Sequence, residues 1–295
     1  MRVFITGASG FTGLHLTRHL REQGHDIIPT GQEPSSELDG YRQVDLMDSA
    51  HVLAVVRDTL PTHIVHLAAK SHVIGEPLDF YRVNLRGTEN LLSAIEKSGA
   101  TCQKIIIASS ANVYGNADSR YISETLAYQP MNHYGMSKVA VELAALHWFS
   151  KLPVVIARPF NYIGPGQSEN FVFQKIVKAF KRRDPALRLG NIDVFRDISD
   201  VRFVVSAYEA LLCHGTIGET YNICSGQAVS IGEAIQMVAE ISGHTLNIQT
   251  DERLVRENEI TYLCGDPSKL RALAHSFEHI DLIETLRTMY DAASE

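Results

Sequence analysis

Residues 3–13 read VFITGASGFTG: a short β-branched run, three glycines, then the start of an amphipathic pattern. Gly7, Gly10 and Gly13 stand at GxxGxxG spacing. A glycine at the first place permits a tight turn after a strand. One at the second lets backbone approach a pyrophosphate, and one at the third allows close helix–sheet packing. The helix that follows presents unpaired N–H groups and the positive end of its dipole to an anion. Strand, glycine turn and helix in this order point to a dinucleotide-binding unit, with Phe11 and Thr12 at the head of the helix beside the three glycines.

Outward from this turn the chain keeps the same rhythm. Further strands are expected at 26–30, 63–68, 104–109 and 154–158, with helical patterns over 12–23, 49–58, 79–98 and 134–150. Near-continuous apolar strands alternating with helices predict an α/β fold, a Rossmann-type doubly wound parallel sheet covered on both faces. From about residue 160 the rhythm changes, with a Gly/Pro-rich loop RPFNYIGPGQ at 158–167 and a helix near 171–182. The expected division is a dinucleotide-binding domain over 1–160 and a smaller mixed α/β substrate lobe over 161–295, interwoven with the first.

Composition narrows the function. Of 295 residues, 45% are apolar and 21% charged, with a net charge of −7. An acidic chain repels nucleic-acid backbones, so no nucleic acid is expected as a partner. No apolar run reaches the length of a membrane span, so no membrane partner is expected. The first residues enter a strand at once, which leaves no room for a signal peptide. Four scattered cysteines without CxxC spacing read as reduced thiols, and the expected location is the cytoplasm. No metal is expected.

The end of the second strand should read the adenine ribose, with Asp favouring NAD and Arg favouring NADP. Here Gln32 stands at that point, so the choice of NAD or NADP stays open. Asp45 of QVDLMD, with Leu46 after it, is placed to reach the adenine amino group. Ala68 and Ala69 of HLAA are small where a sheet edge would pass a cofactor, although packing alone also explains them.

YGMSK at 134–138 sets Tyr134 and Lys138 one helical turn apart, on one face. An ammonium beside a phenol favours phenolate and is expected to lower its pKa toward neutrality. Alone the pair is commonplace. With the glycine turn, and with Ser110 of SSANVYG at the tip of a central strand, it outlines an acid–base site.

GASGFTG, SSANVYG, YGMSK, NLRGTENL at 84–91 and RPFNYIGPGQ together resemble the extended short-chain dehydrogenase/reductase family, nucleotide-sugar type, over nearly the whole chain. The resemblance implies that Ser110, Tyr134 and Lys138 form the catalytic set, with Asn84 in the supporting cofactor shell. Family members that act as 4,6-dehydratases resemble one another in an acidic pair after the catalytic Thr/Ser. This chain has Ala111 and Asn112 there. Alanine cannot move a proton and an amide does so poorly, which argues against dehydration.

RPFNYIGPGQ, GNIDVFRDISDV and YNICSGQ resemble most closely the reductases of GDP-linked 4-keto-6-deoxyhexoses, which form GDP-rhamnose and 6-deoxytalose. That likeness implies a nucleotide-sugar substrate held by Asn161, Arg196 and Arg256, with Ser110 also touching it. Arg196 could instead pair with Asp197 or Asp200. A 4-epimerase with tightly held NAD would use the same residues, and a non-catalytic cofactor sensor is the third reading. Leu91, Leu92, Ile95, Leu143, Leu146 and Trp148 are expected at a homodimer contact, as is common in the family; the alternative is intramolecular core.

Overall fold

The computed structural model describes residues 1–71, 76–255, 259–273, 277 and 280–294. The first half runs β1 (Arg2–Thr6), α1 (Phe11–Glu22), β2 (Asp26–Gly31), β3 (Arg42–Gln43), α2 (Ser49–Thr59), β4 (His63–His66), α3 (Pro77–Phe80), α4 (Gly87–Ser98), β5 (Lys104–Ala108) and α5 (His133–Leu146). Then come β6 (Val154–Pro159), β7 (Asn161–Ile163), α6 (Val172–Lys181), β8 (Ala186–Leu189), β9 (Phe195–Asp200), α7 (Val201–His214) and β10 (Thr220–Ile223). The chain continues through β11 (Ala228–Ser230), α8 (Ile231–Ser242), β12 (Asn247–Thr250), β13 (Tyr262–Leu263), α9 (Ser268–Arg271) and α10 (Leu282–Ala292).

Seven strands form one parallel sheet in the order β10-β6-β5-β4-β1-β2-β3. Both faces are apolar because successive side chains alternate across it. Val3, Ile5 and Ile106 pack toward α1 and α7, while Phe4, Ile105 and Ile107 pack toward α2, α4 and α5. The strand order reverses between β1 and β4, which opens a crevice at their carboxyl ends. Around β9 a second sheet joins β11, β13 and β7, over a separate core made by α6, α8 and α10. The lobes interleave: β10 is an edge strand of the first sheet, and Val204, Tyr208 and Leu211 of α7 lie in its core.

Two expectations change. The helix foreseen over 79–98 is interrupted by a π-helical turn at Tyr81–Arg86, where the Asn84 side chain is drawn inward by backbone and side-chain partners. Leu91, Leu92 and Ile95 are fully buried against the chain's own sheet, so they are intramolecular core and not subunit contacts. Leu143 and Leu146 of α5 are exposed, and the Trp148 indole donates to Glu89 at 3.4 Å.

A chain of hydrogen bonds ties the first strand to α5. Ala68 N donates to Thr6 Oγ1 at 3.2 Å, and Thr6 Oγ1 meets His66 Nδ1 at 2.7 Å. On the other side of the ring, His66 Nε2 meets Thr88 Oγ1 at 2.9 Å, and that hydroxyl donates to Asn84 O at 2.6 Å. Since Thr88 has spent its proton, His66 donates from Nε2, and in the neutral imidazole that burial favours, Nδ1 accepts from Thr6. Asn84 Nδ2 then donates to Ser137 Oγ at 2.9 Å, and Ser137 donates to Tyr134 O at 2.7 Å.

Burial holds His66 well below an ordinary imidazole, at about 3, with Lys138 pushing the same way. The unfolded chain therefore takes up a proton below about 6.5 that the folded chain refuses until about 3. Stability should be fully present above that upper value and fall as pH drops toward the lower one, by up to roughly 1.4 kcal/mol per pH unit. Urea denaturation across this range should show that slope with a share from His63, which burial lowers to about 4, and His66→Asn should reduce it.

Candidate active site

The glycine turn closes onto β4. Gly7 has a φ of +69°, and a Cβ there would lie 2.8 Å from Ala68 N. At Gly13 a Cβ would lie 2.2 Å from Gly7 O and 2.5 Å from Ala8 Cα, so only glycine lets α1 seat this closely. Gly10 is the N-cap of α1 and supplies no side-chain cap. The first N–H groups of the helix face the crevice mouth without a capping side chain, which suits an anion. These residues fit the pyrophosphate of a dinucleotide.

Tyr162 of β7 braces this helix head. Its hydroxyl meets Thr12 Oγ1 at 2.7 Å, and its ring stacks on Phe11 at 6.1 Å. The sequence reading passed over Tyr162; its only signal was a tyrosine inside RPFNYIGPGQ. At the far end of the crevice Gln32 is exposed after β2, and its carbonyl accepts from Gln43 Nε2 at 2.9 Å. Asp45 is exposed and accepts from Met47 N at 2.9 Å. Half-buried Leu46 lies over Gly87, and its carbonyl accepts from Asn90 at 2.7 Å. Ala68 and Ala69 are half-buried beside the turn. Asn84 spends its amide on Lys70 backbone and Ser137, so it supports the site by positioning Tyr134's helix.

Ser110 follows β5 and opens a short 3-10 turn, Ala111–Val113. Tyr134 lies in the first turn of α5, which Asn132 caps by accepting from Gly135 N at 2.8 Å. The turn and the helix touch closely: a Cβ on Gly135 would sit 2.7 Å from Asn112 O. The Ser110 hydroxyl is thereby brought near the Tyr134 phenol, and Phe80 meets the same ring edge-on at 6.3 Å. Lys138 Nζ lies 5.9 Å from the centre of that ring and donates to Ala108 O at 2.7 Å.

The structure thus gathers Ser110, Tyr134 and Lys138, but it overturns the expected acidity of the phenol. Burial dominates and pushes Tyr134 up to about 12, with the Ser110 bond acting in the opposite direction. The lysine ammonium is aimed at a carbonyl rather than at the phenol oxygen. Burial also lowers Lys138 to about 8, against the pull of Glu142.

Behind these groups lies an ion pair that sequence reading missed. Glu142, one turn beyond Lys138, is fully buried and meets Arg158 Nη2 at 2.6 Å. Ser109 donates to Glu142 Oε1, and Tyr128 donates to Oε2 at 2.9 Å. Arg158 Nη1 donates to Tyr114 at 2.7 Å and to Glu124 O at 3.1 Å. Tyr114 in turn donates to Asn222 of β10 at 2.7 Å. Ser109, read as a strand end, belongs to this network.

Asn161 is exposed at the start of β7, and Arg196 stands on the neighbouring β9, donating to Phe195 O at 2.8 Å. Asp200 pairs with Arg202 at 2.8 Å, and Asp197 accepts from Ser225, Gly226 and Gly265. Arg256 lies outside the described residues. Among the described residues no group of three or more His, Cys, Asp or Glu could hold a metal, and no helix is long and apolar enough to cross a membrane.

Comparison with known proteins adds a family. The family described as GDP-mannose 4,6 dehydratase matches residues 4–289. The GDP-6-deoxy-D-talose 4-dehydrogenase of Aggregatibacter actinomycetemcomitans is 34% identical, covering 98% of this chain and 97% of its own. The GDP-6-deoxy-D-mannose reductase of Pseudomonas aeruginosa is also 34% identical, over 98% and 95%. Two solved structures superpose over 99% of the chain. One, from Burkholderia cenocepacia J2315 and provisionally named an epimerase, has 40% identity, 97% of its own chain covered and a TM-score of 0.92. The other, RMD from Pseudomonas aeruginosa complexed with NADPH, has 32% identity, 98% covered and a TM-score of 0.87.

Removing one partner of the buried pair strands the other charge. Glu142→Gln should cost about 3–5 kcal/mol in urea denaturation, and Glu142→Leu combined with Arg158→Met should recover much of that loss.

Proposed function

The chain belongs to the GDP-mannose 4,6-dehydratase family of extended short-chain dehydrogenases/reductases, and from that premise we propose that it reduces the C4 ketone of a nucleotide-linked 4-keto-6-deoxyhexose, GDP being the nucleotide. One observation carries the choice of reaction. Ser110, Tyr134 and Lys138 meet at one point, and the two positions after Ser110 hold Ala111 and Asn112 in place of acid–base carboxylates. Both the talose-series dehydrogenase and the mannose-series reductase fit this reading, since each name describes carbonyl–alcohol oxidoreduction of a GDP-linked 6-deoxyhexose, the two alcohols differing in configuration at C4.

NADPH or NADH, when bound, supplies hydride to the carbonyl carbon. Gly7, Gly10 and Gly13 hold the pyrophosphate at the head of α1, flanked by Phe11 and Thr12. Gln32, Asp45, Leu46, Ala68 and Ala69 border the rest of the crevice, with residues 1–160 forming the cofactor domain. Ser110 donates to the ketone oxygen while Tyr134, still protonated because its pKa is high, delivers the proton that completes the alcohol. Lys138, with its ammonium 5.9 Å from the ring centre and held on Ala108 O, supplies a positive charge close to the phenolate without bonding to it. Asn161, Arg196 and Arg256, from the lobe over 161–295, hold the sugar nucleotide, for whose phosphates a guanidinium fork is suited. The exposed Met136, Leu143 and Leu146 along α5 fit a homodimer contact, and the free thiols fit a reducing cytoplasm.

Purified protein given GDP-4-keto-6-deoxymannose should oxidise added NADPH or NADH mole for mole. Turnover of a UDP-hexose without net cofactor change would favour the 4-epimerase reading, which the similarity to the Burkholderia protein keeps in view. Tyr134→Phe should lower kcat by at least about 100-fold with dinucleotide binding intact, as measured by fluorescence titration. Because Lys138 titrates near 8, kcat/KM for reduction should be flat below that pH and fall as pH rises through it. Lys138→Arg should move the fall to higher pH.

A further inference from the structure

We propose that Asn112 is a positioning residue that fixes the Ser110 hydroxyl as a hydrogen-bond donor toward the reacting oxygen, an inference that rests on the reductase reading above. Ser110 Oγ accepts from Asn112 N at 3.2 Å and from Asn112 Nδ2 at 3.0 Å. A hydroxyl has one proton and two acceptor positions. One residue fills both acceptor positions, so the proton of Ser110 has to point away from it. The Tyr134 phenol, brought near Ser110 by the packing of the turn on α5, is the group left for that proton to face. The serine is therefore set as a donor before any substrate oxygen arrives, and no reorientation is required when negative charge develops there.

The clamp is rigid for reasons visible in the backbone. Ser110 is extended, with φ −164° and ψ 150°, and Asn112 lies in the middle of the three-residue turn it opens. Val113 O accepts from Gln129 N at 2.9 Å, and the Asn112 carbonyl is wedged against Gly135, where no side chain fits. The amide cannot swing off without lifting the turn from α5.

The chemistry of the side chain matters as much as its place. An amide NH2 donates, whereas a carboxylate of the same shape only accepts. An aspartate here would draw the Ser110 proton to itself and turn the hydroxyl from the Tyr134 side. Asn112 thus contributes by direction alone: it moves no proton and touches no substrate, and it decides which way Ser110 faces.

The test compares Asn112→Asp, Asn112→Ala, Ser110→Ala and Tyr134→Phe, each checked for parent-like thermal melting. With a 4-keto-6-deoxyhexose nucleotide at pH 8, Asn112→Asp should lose about 10- to 100-fold in kcat with KM within about twofold. Its kcat should climb as pH falls and the introduced carboxyl is protonated, since a protonated carboxyl donates again. Asn112→Ala should lose less, because the backbone N–H remains. Added to Ser110→Ala, the Asp change should have no further effect. Independently of turnover, the 13C resonance of the Tyr134 ring carbon bearing the hydroxyl should move in Asn112→Asp as it does in Ser110→Ala. Full kcat in Asn112→Asp beside an impaired Ser110→Ala would overturn the clamp and leave the reductase reading standing. An unmoved Tyr134 resonance would overturn it as well. Parent-like rates in both Ser110→Ala and Tyr134→Phe would instead remove the reading itself, and the resonance alone would then judge the orientation.

Discussion

The buried pair of Glu142 and Arg158 is the constraint on which the rest of the site depends. Two charges taken out of water are tolerated only when their remaining hydrogen-bonding positions are filled. Here Ser109, Tyr128, Tyr114 and the Glu124 carbonyl fill them. Those partners come from the end of β5 and the loop beyond it, the pair itself joins α5 to β6, and Asn222 of β10 stands behind Tyr114. Ser109 adjoins Ser110, and Glu142 stands one turn from Lys138. Satisfying the ion pair therefore fixes where the serine and the lysine stand, much as a fully connected polar network specifies one arrangement of a core.

A second network approaches from the opposite side. From Ala68 through Thr6, His66, Thr88, Asn84 and Ser137 to the Tyr134 carbonyl, the directions of the central bonds follow from how many protons each group owns. It spans the reversal point of the sheet and joins the glycine turn to the first turn of α5. The π-helical stretch at Tyr81–Arg86 belongs to the same arrangement, because it carries Asn84 inward to reach both Lys70 and Ser137.

What could be read in the sequence was local. Glycine spacing after VFIT, alternating strands and helices, and YGMSK at one helical turn are patterns within a few residues, and the structure has the corresponding strands, turn and helices. What could not be read depends on distances between remote positions. Glu142 and Arg158 look like ordinary surface charges until β6 passes under α5. Tyr162 reaches Thr12 from 150 residues away. The phenol's acidity turned on its burial, which no spacing within YGMSK shows, while the Lys138 ammonium ends on Ala108 O. Amphipathic spacing likewise shows that Leu91 and Leu143 are apolar but not which surface each meets; one lies in the core and the other in solvent.

The brace between Tyr162 and the head of α1 has a thermodynamic consequence. Phe11, Thr12 and His15 of the cofactor helix all meet the 162–165 segment: ring against ring, hydroxyl to hydroxyl, and imidazole to the Pro165 carbonyl at 2.9 Å. That segment leads directly into α6 of the second lobe. A ligand that steadied α1 would also steady the 162–165 segment and with it the entrance to the second lobe, so the ordering cost of that shared segment would be met once. Binding linkage is reciprocal, so a second ligand held through that segment would tighten the first by the same factor. A contact between one tyrosine and one helix end thus joins the order of the first helix to that of the segment entering the second lobe.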